Sequence, residues 1–353
     1  MRPSSRRAWL AAALFVVVLC SIRALLPVVV ERRVVAALAR NERYAGSFDD
    51  VDVSVLRLAY SIEGLRLVKR NGQVPVPFVV APLVDYSFDG MALLRGRISG
   101  EIAITSPSLN IVDGPSPEVR QGPMGVDWRI TMRKLFPTNM NRISVHDGTI
   151  HFRNFHTKPE VDVYIDDIEL EAANVALRSP TPNTGAVRLH GRGVPMQSGS
   201  IKADVTLFRN TPAPSFDASL SIHGAQISEW NALLRAYLGL DVERGTARVD
   251  ATLHARDGQL RGEVTPSLAE LEVFDFAREL ASQSVLTSVG ESLIDVGAFL
   301  LRDQSRHVIE VRIPLSGTIR NPKHDNWASV RSLAREALVE ALERVGDAVP
   351  GAS

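Results

Sequence analysis

His146, His151 and His156 recur at a spacing of five, and imidazole is the side chain most used to hold a divalent metal or move a proton near neutral pH. Five residues along one strand put neighbours on opposite faces. The three rings would converge only if the Asp147-Gly148 pair turned the chain. No fourth ligand or orienting carboxylate is placed by the sequence, so they read as half-exposed histidines around a hairpin. Asp49, Asp50 and Asp52 read as a solvated strand edge, where charge discourages edge-to-edge pairing. Asp166 and Asp167 interrupt the apolar alternation of 161–170 and shift its parity, the mark of a bulge or turn rather than of paired acid and base. Ser316, in Leu315-Ser316-Gly317, has no base partner. G-x-S-x-G, P-loop, dinucleotide, H-E-x-x-H and C-x-x-C patterns are absent. The expectation is a non-enzymatic protein with no catalytic residue, metal or cofactor.

What the chain does carry is alternation. Val51, Val53 and Val55 alternate with Asp52 and Ser54. Ile98, Ile102 and Ile104 share a parity, and Leu109 and Ile111 follow a break at Pro107. Ile143 and Val145 precede the expected Asp147-Gly148 turn, and Ile150 and Phe152 follow it. Val161, Val163, Ile165; Ile201, Ala203, Val205, Leu207; Phe216, Ala218, Leu220, Ile222; and Ala247, Val249, Ala251, Leu253 continue the pattern to Ile309, Val311, Ile313 and Leu315. Short alternating runs bounded by Gly, Pro, Asn or Asp are the strand signature. Strands buried on both faces would read as continuous apolar runs. These strands therefore predict a mainly β (α+β) protein whose sheet has one apolar and one polar face, with antiparallel connections. Helices are expected at 228–238, with Ser228 as N-cap, at 274–301 and at 327–345. Residues 115–140 form a Gly/Pro-rich connector between a 41–114 β segment and a 141–320 β segment, and 321–353 is a C-terminal helical segment.

Residues 8–30 are the longest apolar stretch, broken only by Ser21, Arg23 and Pro27. As a helix they would span about 34 Å, enough for a hydrocarbon core of about 30 Å. A cleaved signal peptide would share the basic start at Arg2, Arg6 and Arg7 but lacks a clean A-x-A site after the apolar core. A lipoprotein signal ending at Cys20 would want a small residue where Leu19 stands. An uncleaved anchor, continuing into an amphipathic exit helix to residue 40, is the preferred account. Arg2, Arg6 and Arg7 nearly balance Arg32, Arg33 and Arg40 across it. The short tail favours a cytoplasmic N-terminus. The 40 basic and 40 acidic residues cancel, against a nucleic-acid partner. The single cysteine, Cys20, leaves the rest of the chain without a thiol, which is compatible with an oxidising compartment.

Arg312-Ile313-Pro314-Leu315-Ser316-Gly317-Thr318-Ile319, followed by Asn321-Pro322 and Trp327, resembles the C-terminal signature of AsmA-like proteins. Tyr60-Ser61-Ile62-Glu63-Gly64-Leu65, Val145-His146-Asp147-Gly148-Thr149-Ile150, Leu234-Arg235-Ala236-Tyr237 and Leu271-Glu272-Val273-Phe274-Asp275 fit in the same order. The whole chain resembles the short subfamily of that superfamily, an uncharacterised conserved domain. The resemblance implies a single-pass inner-membrane protein with its bulk in the periplasm, an elongated, curved sheet with an apolar groove, and a part in phospholipid movement. It supplies no catalytic residue.

Two functions follow, and the sequence leaves both open. In one, the apolar face holds phospholipid, with Val163, Ile165, Val205, Leu207, Leu220, Ile222, Val249, Leu253, Val311 and Ile313 as groove-lining candidates. About 14 strands at about 4.8 Å would give a groove of roughly 65 Å. In the other, the chain is an envelope assembly or scaffold factor, working through envelope proteins or self-association, and its own helices close an ordinary core. A tethered hydrolase is disfavoured because no nucleophile–base pair is visible.

Overall fold

The computed structural model describes residues 43–122, 139–175, 186–273 and 308–318, except 55, 56, 71, 97, 98, 209, 210, 212, 214, 239, 240 and 311, together with Trp9, Arg32, Val35 and Ala36. Apart from those last four, the 8–30 segment and the exit helix lie outside the described residues, as do the expected helices at 274–301 and 327–345 and most of the connector. Among the described residues no helix is long and apolar enough to cross a membrane.

The described residues are mainly β. Fifteen strands belong to one sheet. They are β1 (Tyr44–Ser47), β2 (Asp50–Ser54), β3 (Ala59–Lys69), β4 (Val79–Phe88), β5 (Ser99–Thr105), β6 (Ser108–Asp113), β7 (Asn139–Asn154) and β8 (Val161–Ala173). β9 (Val187–Pro195), β10 (Ser200–Leu207), β11 (Phe216–Gln226), β12 (Val242–Arg256), β13 (Gln259–Val273), β14 (Val308–Glu310) and β15 (Ile313–Thr318) complete it. A one-turn helix α1 (Gly90–Leu94) follows β4, and α2 (Asn231–Leu238) follows a 3-10 turn at Ile227–Trp230. Ser228 therefore lies inside that turn rather than capping a helix; Gln226 stands at its N-terminal boundary and makes no side-chain capping bond.

β1 with β2, β5 with β6, and β14 with β15 each occupy one strand position against a shared neighbour, so the sheet has twelve positions across. At about 4.8 Å each these span about 53 Å, shorter than the sequence-based figure. The strands of 41–114 and 141–320 share this one sheet. The sheet is mixed, which corrects the expectation of an antiparallel one. β5 and β6 both pair β7 in parallel. A parallel neighbour needs a crossover of a dozen or more residues, and the stretch between Asp113 and Asn139 supplies it.

Asp147-Gly148 is not a turn. β7 runs through it as one 16-residue strand, with Asp147 at φ 55°. It belongs to a seam of irregularities at one level. Asp49 separates β1 from β2, Gly64 sits at φ 63°, Ser106 at φ 48° and Asp167 at φ 49°. Hydrogen bonds tie the seam together: Asp49 N donates to Glu63 O at 2.9 Å and Ser106 N to His146 O at 2.8 Å. The Ser106 hydroxyl donates to the Asp147 carboxylate at 2.7 Å. At each point the apolar residues change parity and the backbone changes with them. A Cβ built on Gly193 would meet both Ile165 Cγ2 at 2.8 Å and Ile168 Cγ1 at 3.3 Å. Residues on either side of the Asp167 bulge thus reach the same face. The bulge read from Asp166-Asp167 is present, with the register shifting between Asp166 and Glu169.

The core lies in the first strands. Tyr86 and Ile102 are 1% exposed, and Phe78 and Met140 are fully buried. Tyr60 stacks on Tyr86 at 5.1 Å, Phe88 meets Tyr86 edge-on at 4.6 Å, and Tyr44 stacks on Phe78 at 4.6 Å. Burial, and then the neighbouring Tyr86, push the Tyr60 hydroxyl well above the ordinary tyrosine range. Ile102→Ala should lower the free energy of urea unfolding by about 3 kcal/mol, while Leu220→Ala, at a half-buried site, should cost about 1 kcal/mol. Equal costs would mean that the two halves of the sheet are packed alike.

Candidate functional site

The register aligns residues from strands far apart in sequence. One row runs Val53, Tyr60, Tyr86, Ile102, Ile143, Ala172, Leu189, Val205, Ala218, Leu253, Gly262, Leu315 across all twelve positions. The next row on the same face runs Val51, Ile62, Val84, Ile104, Val145, Leu170, Gly191, Ala203, Leu220, Ala251, Val264, Ile313. Neither row contains a charge. Between them, on the opposite face, runs Asp52, Ser61, Asp85, Ala103, Ser144, Glu171, His190, Asp204, Ser219, Thr252, Glu263, Pro314. One face is apolar from edge to edge and the other is polar, because side chains alternate with period two and neighbours in register share a face.

The apolar face is not uniformly filled. Val53, Ile62, Val84, Tyr86 and Ile102 are all under 9% exposed. From β9 to β12 the corresponding residues Leu189, Val205, Leu220, Ala251 and Leu253 are only half-buried. The buried core cluster of the described residues is confined to the strands around Tyr86. α2 covers part of this face at the end where β1 begins. Its Tyr237 hydroxyl donates to the Asp113 carboxylate at 3.1 Å and accepts from Asn154 Nδ2 at 2.8 Å. Phe152 lies 6.3 Å from the Tyr237 ring. At the same end Lys69 Nζ is held by the carbonyls of Pro117, Glu118 and Arg120, pinning the start of the connector.

Nine of the ten groove candidates lie in described strands. Val163 and Ile165 stand on β8, Val205 and Leu207 on β10, Leu220 and Ile222 on β11, Val249 and Leu253 on β12, and Ile313 on β15. Their pairings place them on the apolar face, with Ile201, Ile222 and Val249 forming a further row. Val311 lies outside the described residues. The candidates missed Leu189 on β9 and Leu260 and Val264 on β13. Leu260 and Val264 alternate with Arg261 and Glu263, a usable signal, whereas Leu189 is followed by Gly191 and Gly193, which leave no apolar side chain to count.

The polar face is laced by imidazole–carboxylate pairs between neighbouring strands. His146 meets Glu169 at 2.9 Å, His151 meets Asp162 at 2.8 Å, His190 meets Asp204 at 2.6 Å and His254 meets Asp217 at 2.7 Å. His223 lies 3.4 Å from Asp250. His146 and His151 lie on the first strand of the β7–β8 hairpin and His156 in its connection, not around a turn at Asp147-Gly148, and the first two bond β8 instead of one another. Among the described residues no group of three such side chains could hold a metal ion. Asp50 and Asp52 are exposed on β2, at the sheet edge. Ser316 is exposed on β15.

The chain was compared with protein-family models and with curated proteins, and it matches none of either.

The hydrogen bond from His146 holds the Glu169 carboxyl below its ordinary range, that from His254 does so for Asp217, and Arg248 does so for Asp250. A carboxylate depressed in the folded state adds stability above its unfolded value and loses it as pH falls through the folded one. Stability should therefore fall as pH drops below the ordinary 4.5 of Glu and 3.8 of Asp. Solvent screening keeps the effect small. Combining Glu169→Gln, Asp217→Asn and Asp250→Asn should flatten that acid limb in thermal melts from pH 6 to pH 3 (about). An unchanged limb would show that these pairs contribute nothing.

Proposed function

We propose that this is a membrane-anchored, non-enzymatic protein of the AsmA-like type that holds phospholipid acyl chains against the apolar face of its sheet, in the strands from β8 to β15. The observation that carries this is the pair of uncharged rows crossing all twelve strand positions, half-buried in the second half of the sheet. An acyl chain asks for no hydrogen-bond partner and gains about 0.8 kcal/mol per buried CH₂. A long strip without a charge suits it better than any polar ligand. The first strands fill their own share of the face with Tyr60, Tyr86 and Phe88, so the lipid strip is assigned to the rest. The apolar 8–30 segment, read as an inner-membrane anchor with the sheet in the periplasm, would keep that strip near a lipid source. At about 29 Å across seven strand positions the strip suits local acceptance or relay within the envelope.

The test is to purify the full chain, cut it at a protease site placed between residues 40 and 41, and extract the released sheet for lipid mass spectrometry. Bound glycerophospholipid is expected, and Leu220→Asp should remove it while the free energy of urea unfolding falls by no more than about 2 kcal/mol from the parent. Absence of lipid from the parent, or a variant that unfolds outright, would assign the face to a closed core and the protein to the scaffold function.

A further inference from the structure

Ten large apolar side chains are strongly exposed among the described residues, and six of them share one end of the sheet: Leu58, Met91, Leu93, Leu94, Leu207 and Phe208. This is the end where β2 turns into β3 and where β10 finishes, opposite the end where the chain enters at Tyr44. Four of the six converge. Leu58 N-terminal to β3 and Met91, Leu93 and Leu94 on α1 line one open cleft with Asp89 and Gly90. Leu94 is 83% exposed and Met91 59%, while Ala92 turns inward at 7%.

The local chemistry fixes this turn in place. Asp89 caps α1, its carboxylate accepting from Met91 N at 3.0 Å and Ala92 N at 3.1 Å. Phe88 N donates to Leu58 O at 2.8 Å, joining the turn before β3 to the end of β4. Phe88 in turn packs on Tyr60 and Tyr86. The exposed tip is thus continuous with the apolar face. Arg57 and Arg95 flank it, both exposed, and the only acid in the cleft, Asp89, is spent on the cap.

We infer that this tip is a bilayer wedge: Leu58, Met91 and Leu94 enter the acyl boundary of a membrane containing anionic phospholipid, with Arg57 and Arg95 at the headgroups. A protein partner fits less well. Four side chains on one short turn offer about a few hundred Å² at most, against the roughly 800 Å² that each partner of a stable complex buries. A bilayer needs no complementary shape, accepts exposed Leu and Met, and rewards each nearby arginine when the lipid is anionic. The wedge stands on its own observations. Joined to the lipid-strip proposal, on which this last clause rests, it marks the end of the face where acyl chains enter or leave.

The test uses the full chain in nanodiscs of neutral phosphatidylcholine, with Cys20→Ser and with Leu94→Cys carrying an environment-sensitive NBD dye. Added vesicles containing phosphatidylglycerol should shift the dye emission to the blue, and brominated acyl chains in those vesicles should quench it. Arg57→Gln with Arg95→Gln should weaken the vesicle response about thirty-fold. No shift with anionic vesicles, a shift that ignores the arginine substitutions, or a shift produced by raising protein concentration without vesicles would each overturn the wedge. Lipid extraction from the released sheet reads out separately. Insertion of the dye without extractable lipid would leave the wedge standing and remove the strip; extractable lipid without insertion would do the reverse.

Discussion

A sheet of this width keeps one face apolar only if every strand stays in phase. A slip of one residue turns all the side chains of a strand over. Here five of the first six positions carry an irregularity at the same level, and at each of the five the apolar parity in the sequence changes with the backbone. Gly64, Ser106, Asp147 and Asp167 take the left-handed conformation that such a step needs. Had one of these strands bulged alone, its apolar residues beyond the bulge would face water and a polar set would enter the apolar rows. The seam ends at β8. From β9 on, the two apolar rows keep phase, helped by Gly193 leaving room for Ile165 and Ile168. Beyond them the register shifts again, between Ile222 and Ala225 on β11 and between Val242 and Thr246 on β12.

The two faces then take on different work. The polar face ties adjacent strands through imidazole–carboxylate and arginine–carboxylate pairs, which stabilise modestly in solvent and demand a fixed register. The apolar face is packed by aromatic rings in the early strands and thins to half-buried aliphatic side chains further on. α2 and the pinned start of the connector close the entry end over β6 to β8. The opposite end carries the exposed leucines and arginines of α1. Proposed lipid occupancy is an account of that gradient: a filled end, a strip without charge, and an apolar rim.

Alternation made the strands legible from the sequence, and with them the one-sided sheet, because period two is a local property. The Asp166-Asp167 bulge was legible for the same reason, since the parity break lies inside one run. Asp147-Gly148 misled because the same dipeptide serves a two-residue hairpin or a bulge, and only the partner strand decides. β8 continues past it, so the strand does too. The parallel pairing of β5 and β6 with β7 has no local signature at all; the long spacer after Asp113 was its one hint. Leu58, Met91 and Leu94 went unnoticed because short apolar turns look like core until their exposure is known.

The central claim is that one face of the sheet meets lipid and the other meets water. Nitroxide labels placed singly, on a Cys20→Ser background, at Ala203, Val205, Leu220 and Ala251 and at Asp204, Ser219 and Thr252 test it most directly, in the full chain with spin-labelled phospholipid added. The account predicts dipolar broadening of the first set and none of the second, alternating residue by residue along β10. Broadening at both sets alike, or at neither, would contradict it.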